Sequence, residues 1–373
     1  MRPDQLSINR LESRTIDFAR ILCIFFMIWV HVYPAMREPS YVFSGPAHGL
    51  WLVVIDIFGR ASVATLSFLS GYVLCIQSAQ RDVRRIVADR FRSILLPMFT
   101  WNAIALLAVW LALTVPGHGD RTISGFFHAH SAWDWLSLLL AIDRQPANMP
   151  VGFLRDLFVS IVLLTLFRQA IARYGVLLLV LLAPLTALQA TEPLLLRPSI
   201  ALFALAGFVC ASRGWSLSRL SAPIVALPAM LLFAAAYLLS LQVDIPQPTL
   251  AEQIPNLAKR AGLVALMLLV ASAAAGRWPS LPVAGWRTVL FVTFLSHGIV
   301  TEVLGKAYEL SGGSVRSPAY LLFFFAAPFA FLAIGALLDR SIDILPGWAQ
   351  TALRGTRRSR GLRLLPARDT RVA

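Results

Sequence analysis

Ten apolar stretches divide this chain of 373 residues, at 16–36, 50–76, 94–115, 151–167, 174–189, 198–211, 222–241, 259–275, 289–308 and 318–338. About 20 apolar residues let a helix cross the hydrocarbon core of a bilayer, where no water can satisfy an open backbone. The chain is therefore expected to be all-α, a polytopic membrane helix bundle of about ten helices. The fifth, sixth and eighth stretches are short for this purpose. Composition points the same way. Hydrophobic residues make up 58% and charged residues 14%, and mean hydropathy is +0.71, whereas a soluble domain carries about 25% charged residues. The first stretch holds Asp17 and Arg20 and ends without a small-residue cleavage site, so it reads as a retained helix and not as a signal peptide.

Charge between the stretches orients the bundle. Residues 81–92 carry five arginines against two aspartates, and the segment from Arg354 onward carries seven arginines against one acid. Arg2, Arg10 and Arg14 precede the first stretch. Arg168 and Arg173, Arg213 and Arg219, and Arg277 and Arg287 fill three further connections. With ten alternating helices all of these fall on one side, which is then the cytoplasm, with both termini on it. The expected organisation is an N-terminal arm at 1–13, a membrane domain at 14–340 and a basic tail at 341–373. The net charge of +14 needs no nucleic acid to explain it, because these cations border membrane helices, and the tail can meet anionic lipid headgroups.

Chemistry must come from the few polar residues inside the stretches. Arg20 and His31 are eleven residues apart in the first. On a helix this returns them to within ~20° of one face, separated by ~16 Å along the axis. Ionisable groups inside a membrane are expensive and by default mark a function. A partly buried imidazole is suited to take a proton from a hydroxyl and give it to a leaving group. Asp17 lies at i−3 from Arg20 as a partner. Asp56 and Arg60 form an i, i+4 pair in the second stretch, followed by Ser70-Gly71, which permits close helix approach. Arg155-Asp156 follows Pro150-Val-Gly152-Phe153, where an acceptor can be held. His297 sits between Thr293 and Thr301, with Glu302 next to them, and reads as a satisfied core histidine as readily as a catalyst. His118, His128 and His130 share a connection with Trp133, Asp134 and Trp135 and follow no metal-ligand pattern. Cys23, Cys75 and Cys210 all fall in the apolar stretches, imply neither metal nor disulfide, and are expected to pack.

Taken in order, several of these segments resemble one family. Arg14–His31 with its Arg-x10-His, Arg60 through Ser70-Gly71, Arg90-Phe-Arg92 through Pro97, Gly152-Phe-Leu-Arg155-Asp156, and Phe294-Leu-Ser-His297 are similar to successive segments of the integral-membrane acyltransferase type 3 family. Leu66-Ser67 stands where two phenylalanines are commoner, and Phe153 where tryptophan is usual. The resemblance implies transfer of an acyl group, often acetyl, from cytoplasmic acyl-CoA to a hydroxyl of an envelope polysaccharide, glycolipid or lipid-linked sugar. It implies an inner-membrane enzyme with acyl-CoA as co-substrate. His31 is then the general base, and Arg20 and Asp17 are counted with it as catalytic residues. Arg20, Arg90 and Arg92 hold the donor phosphates, and Arg60, Arg155, Asp156 and His297 serve the acceptor. A transporter or flippase for an envelope precursor is the alternative reading; broken helices and internal repeats, which would mark one, are not detected. A membrane scaffold gives no reason for Arg20 and His31 to share a face.

The orientation is testable by reporter fusions after Ala79 and after Gly119. They are expected on opposite sides of the membrane, the first cytoplasmic; the same side for both would defeat the ten-helix arrangement.

Overall fold

A computed structural model describes residues 8–32, 57, 59–78, 81–114, 131–241, 250–313 and 318–356. The described part of each of the ten apolar stretches falls on a helix. The first is α1 (Arg10–His31), opened by a capping box in which Asn9 and Glu12 bond each other's backbone N–H groups. Next come α2 (Arg60–Ser78) and α3 (Val83–Arg90), the latter running through a π-helical turn at Phe91–Leu95 into α4 (Leu96–Thr114). A short α5 (Ala132–Leu140) precedes α6 (Gly152–Leu166), α7 (Arg168–Ala187), α8 (Pro198–Ser212), α9 (Pro223–Leu241) and α10 (Leu250–Arg277). The described chain closes with α11 (Arg287–Leu310), α12 (Pro318–Asp343) and α13 (Gly347–Arg354). Among the described residues there is no strand.

Seven of these spans are long and apolar enough to cross a membrane: α2, α3 continued into α4, α6, α7, α10, α11 and α12. The apolar helices α8 and α9 are shorter. α1 has the length, 22 residues, but carries Arg14, Asp17 and Arg20 in its first half. The bundle has an inside and an outside. The α2 span is 67% buried, whereas the α7 and α12 spans are 22% and 28% buried, and their outer faces present Leu181, Leu322 and Leu337. A membrane protein needs no polar exterior where lipid is the solvent.

Between apolar helices in lipid, association depends on close packing more than on burial from water. The α2–α8 seam is made that way. A Cβ on Gly71 would fall on the Ala204 carbonyl, and one on Gly207 would fall on the Phe68 carbonyl. Each helix lends a glycine to the other's backbone. The close approach expected at Ser70-Gly71 is present. In the same manner Gly262 of α10 lies on Ala229 and Phe233 of α9.

Two features add to the sequence reading. Residue 340 lies in the last turn of α12, and residues 347–354 form a further helix, α13, packed on α4 and the π turn. Trp101 donates its indole N–H to the Leu353 carbonyl at 2.9 Å. Arg354, 0% exposed, is held by Asp339, Asp343 and Gln350. A fully buried guanidinium with two carboxylates is a structural lock, so the arginine-rich segment has its first member inside the fold. Second, the connection at 117–150 contains α5, where Ser131 and Asp134 form a capping box. Asp56, Tyr33, His118, His128 and His130 lie outside the described residues, as do 357–373.

Replacing Gly71 by leucine is expected to part α2 from α8 and to cost more than ~3 kcal/mol, because the obstacle is backbone. Gly276→Ala, where a Cβ meets nothing within 4 Å, is expected to be neutral or stabilising by at most ~1 kcal/mol. Thermal unfolding of both variants in detergent checks the pair; equal stability would show that the seam tolerates separation.

Candidate active site

α1 is tied to the bundle near its start. Arg14 donates to the Leu281 carbonyl at 3.1 Å and also to the Trp278 carbonyl, just beyond the end of α10. Asp17, 3% exposed, takes both ends of the Arg287 fork at 2.7 Å each. Arg20, expected as the partner of Asp17, is a looser neighbour at 3.8 Å. The acid on α1 therefore belongs first to the start of α11, and Arg20 keeps much of its guanidinium for other contacts. Nothing in the local sequence signals this, since Arg287 is 270 residues away and reads as a loop charge.

These ties set heights. α1 and α10 run antiparallel, and from the Arg14–Trp278 level His31 lies 17 residues up one helix and Arg260 lies 18 up the other. At 1.5 Å per residue both reach ~25 Å. They meet there in one cavity of about 560 Å³. Its lining includes His31, Arg60 at the first turn of α2, and Arg197 just before α8. Arg260 and Asn256 reach it from α10, and Gln145 and Pro150 from the segment before α6.

His31 does not stand by itself. His297, expected only as a lone second histidine, brings its ring to 5.1 Å from the His31 ring, centroid to centroid. The His297 Nδ1 lies 2.6 Å from the Phe294 carbonyl. A carbonyl only accepts, so Nδ1 carries the proton and Nε2 the lone pair. That Nε2 is buried and has no hydrogen-bond partner among the described residues. Thr293 and Thr301, its neighbours on the helix, bond backbone carbonyls of their own helix and not the ring. Two imidazoles, one of them oriented by a backbone carbonyl, thus meet at this end of the bundle.

Arg155 and Asp156 sit apart from the cavity lining. Arg155 donates to the carbonyls of Ile142, Pro193 and Leu194, and to Asp156 at 2.6 Å. Asp156, 1% exposed, accepts from the backbone N–H groups of Leu196 and Arg197. The pair clamps the turn that delivers Arg197 into the cavity. Arg197 is not singled out by the sequence; the carbonyls and amides that place it are tertiary.

At the Arg14 end, Arg90 donates to the Gln77 amide oxygen at 2.7 Å. It lines a smaller cavity of about 190 Å³ with Arg81, Asp89 and Ser93. Arg20 lies within range of the Arg90 charge. Arg92 is exposed and takes no part in that lining. The π turn begins at Phe91, and its extra residue shifts the register immediately after Arg90; such insertions recur at functional sites. Among the described residues no group of His, Cys, Asp and Glu could hold a metal ion, and all three cysteines are free thiols.

Removing the Arg287 side chain would leave Asp17 buried without its fork. Arg287→Ala is expected to destabilise the fold by about 2–3 kcal/mol, less than a fully buried pair because Arg287 is 50% exposed. Asp17→Asn with Arg287→Ala is expected to recover much of this, since the buried charge goes too. Denaturation in detergent decides it: no recovery in the double variant would place the loss elsewhere.

Comparison with known proteins then supplies the class. The chain is 27% identical over 328 residues to the succinoglycan biosynthesis protein ExoH of Rhizobium meliloti, covering 86% of each. No solved structure matches. The profile of an acyltransferase domain matches residues 14–340, from the Arg14 tie into the last turn of α12, and the chain thus belongs to this membrane acyltransferase family.

Proposed function

We propose that the protein moves an acyl group, acetyl in the simplest case, from acyl-CoA to a hydroxyl of a cell-envelope polysaccharide or its lipid-linked precursor. The observation that carries this reading is the convergence of His31, its partner ring His297 and three arginines on one roomy cavity ~25 Å from the level of Arg14. The name of the similar Rhizobium protein adds an exopolysaccharide to the argument. In this reading ten helices cross a bacterial inner membrane, with α1, α8 and α9 joining the seven longer spans. The positive-inside rule puts the Arg14 end in the cytoplasm and the His31 cavity at the outer side.

The donor then enters from the cytoplasm. Arg20 and Arg90, with Arg81 in place of the expected Arg92, face its phosphates; guanidinium forks suit phosphate oxygens. The ~16 Å between Arg20 and His31 is of the order of a pantetheine arm. At the cavity, His31 takes the proton of the acceptor hydroxyl as its oxygen attacks the thioester carbonyl. The tetrahedral intermediate collapses, the C–S bond breaks, and the proton passes from His31 to the departing sulfur. His297, its Nδ1–H held by the Phe294 carbonyl, keeps the His31 ring in place and presents a second basic nitrogen beside it.

His31→Gln keeps a hydrogen-bonding side chain but cannot carry the proton. It is expected to lower acyl transfer by roughly 10²-fold or more while size-exclusion profiles stay normal. His297→Gln is expected to lose less and to shift the pH profile, as a positioning residue should. Near-normal acylation by His31→Gln would overturn the mechanism.

A further inference from the structure

We propose that α13, which lies beyond the matched acyltransferase domain, is a positioning element for the acyl donor: through the π turn it sets the bearing of Arg90 in the smaller cavity. This deepens the transfer reading and rests on its placing of the donor phosphates at that cavity. The lining of these 190 Å³ includes Gln77, Arg81, Arg90 and Ser93. Arg90 is the last residue before the π turn, and Ser93 is the middle residue of it. A π turn carries one more residue than an α-helical turn, and it is a place where helices bend. The direction of Arg90 therefore depends on what holds that turn from behind.

What holds it is α13. Arg354, its last residue, is 0% exposed, with Asp343 at 2.6 Å, Asp339 at 3.2 Å and Gln350 at 2.8 Å. A buried ion pair adds little net stability, so its worth lies in where it puts its neighbours in the chain. On one side, the Leu353 carbonyl accepts the Trp101 indole N–H from α4 at 2.9 Å. On the other, Gly355 ends the helix at φ +76°, a conformation that favours glycine, and lays its backbone on that of Ser93. A Cβ there would stand 2.6 Å from the Ser93 carbonyl oxygen and 3.0 Å from its Cα. Backbone meets backbone, so no side chain can swing aside to absorb a shift. α13 thus meets the chain at the turn that joins Arg90 to Ser93, and this ties its position to the donor cavity.

The test measures coenzyme A binding to purified full-length protein in detergent by calorimetry. Gly355→Ala pushes α13 off Ser93 and is expected to weaken binding about fivefold. Gly312→Ala is the control. Gly312 has φ +78° but nothing within 4 Å of its Cβ position, so this variant carries the backbone strain without the contact and is expected to bind as the wild type does. Arg90→Gln is expected to weaken binding about tenfold, the worth of one charge-assisted hydrogen bond. Because Gly355→Ala acts through Arg90, adding it to Arg90→Gln is expected to cost less than about twofold more, a coupling that a loss of general stability would not produce. Trp101→Phe removes the N–H that holds Leu353 and keeps the packing; it takes the place of Gly355→Ala should that variant not fold. Wild-type affinity in Gly355→Ala, or a loss that persists in full on the Arg90→Gln background, overturns the proposal and leaves the donor site standing. Failure of the wild type to bind coenzyme A, or wild-type affinity in Arg90→Gln, overturns the donor reading and this proposal with it.

Discussion

Asp17 on Arg287 is the contact from which the rest of the site takes its measure. A carboxylate buried on the first helix requires a counter-charge, and the fork that supplies it comes from the first residue of α11. With Arg14 on the carbonyls after α10, this fixes α1 against two helices far along the chain. Heights then follow from the helical rise: His31 arrives beside Arg260 and beside His297. Shifting α1 by one turn would move His31 ~5.4 Å, farther than the 5.1 Å between the two rings.

The polar groups divide into those that hold and those that act. Arg354 with Asp339 and Asp343, Arg155 with Asp156, and Arg287 with Asp17 are satisfied pairs inside the protein. Their value is geometric, since a buried pair contributes little net stability yet is costly to break. Each locks a place where the chain turns between helices. His297 Nε2 and Asn256 Oδ1 are different, being buried atoms without partners among the described residues, close to the cavity of His31. Unsatisfied buried atoms are rare enough to need an explanation, and in the proposed function an acceptor bound in the cavity would supply one for these two.

Much of this architecture was legible from residue order. The apolar stretches foretold helices because a bilayer-length run with no charge has few other uses. Arg20 and His31 were legible as a pair because helical periodicity is local. The acyltransferase family was legible from short segments in sequence. The role of Arg155-Asp156 was not. The dipeptide's contacts with the carbonyls of residues 142, 193 and 194 and the amides of 196 and 197, which clamp the turn before α8, have no local signature. Arg90 and Arg92 likewise both read as donor-side cations, but Arg90 lines the smaller cavity while Arg92 is exposed.

Hydropathy and charge spacing along the chain thus establish an all-helical membrane protein and single out the polar residues of the first helix, because both depend on interactions within about twenty residues. The partner of Asp17, the pairing of His31 with His297 and the gathering of Arg60, Arg197 and Arg260 join residues as far as 270 positions apart. No local pattern encodes such meetings. They arise when buried charges find counter-charges and glycine-lined seams close, and both require the whole bundle to be assembled.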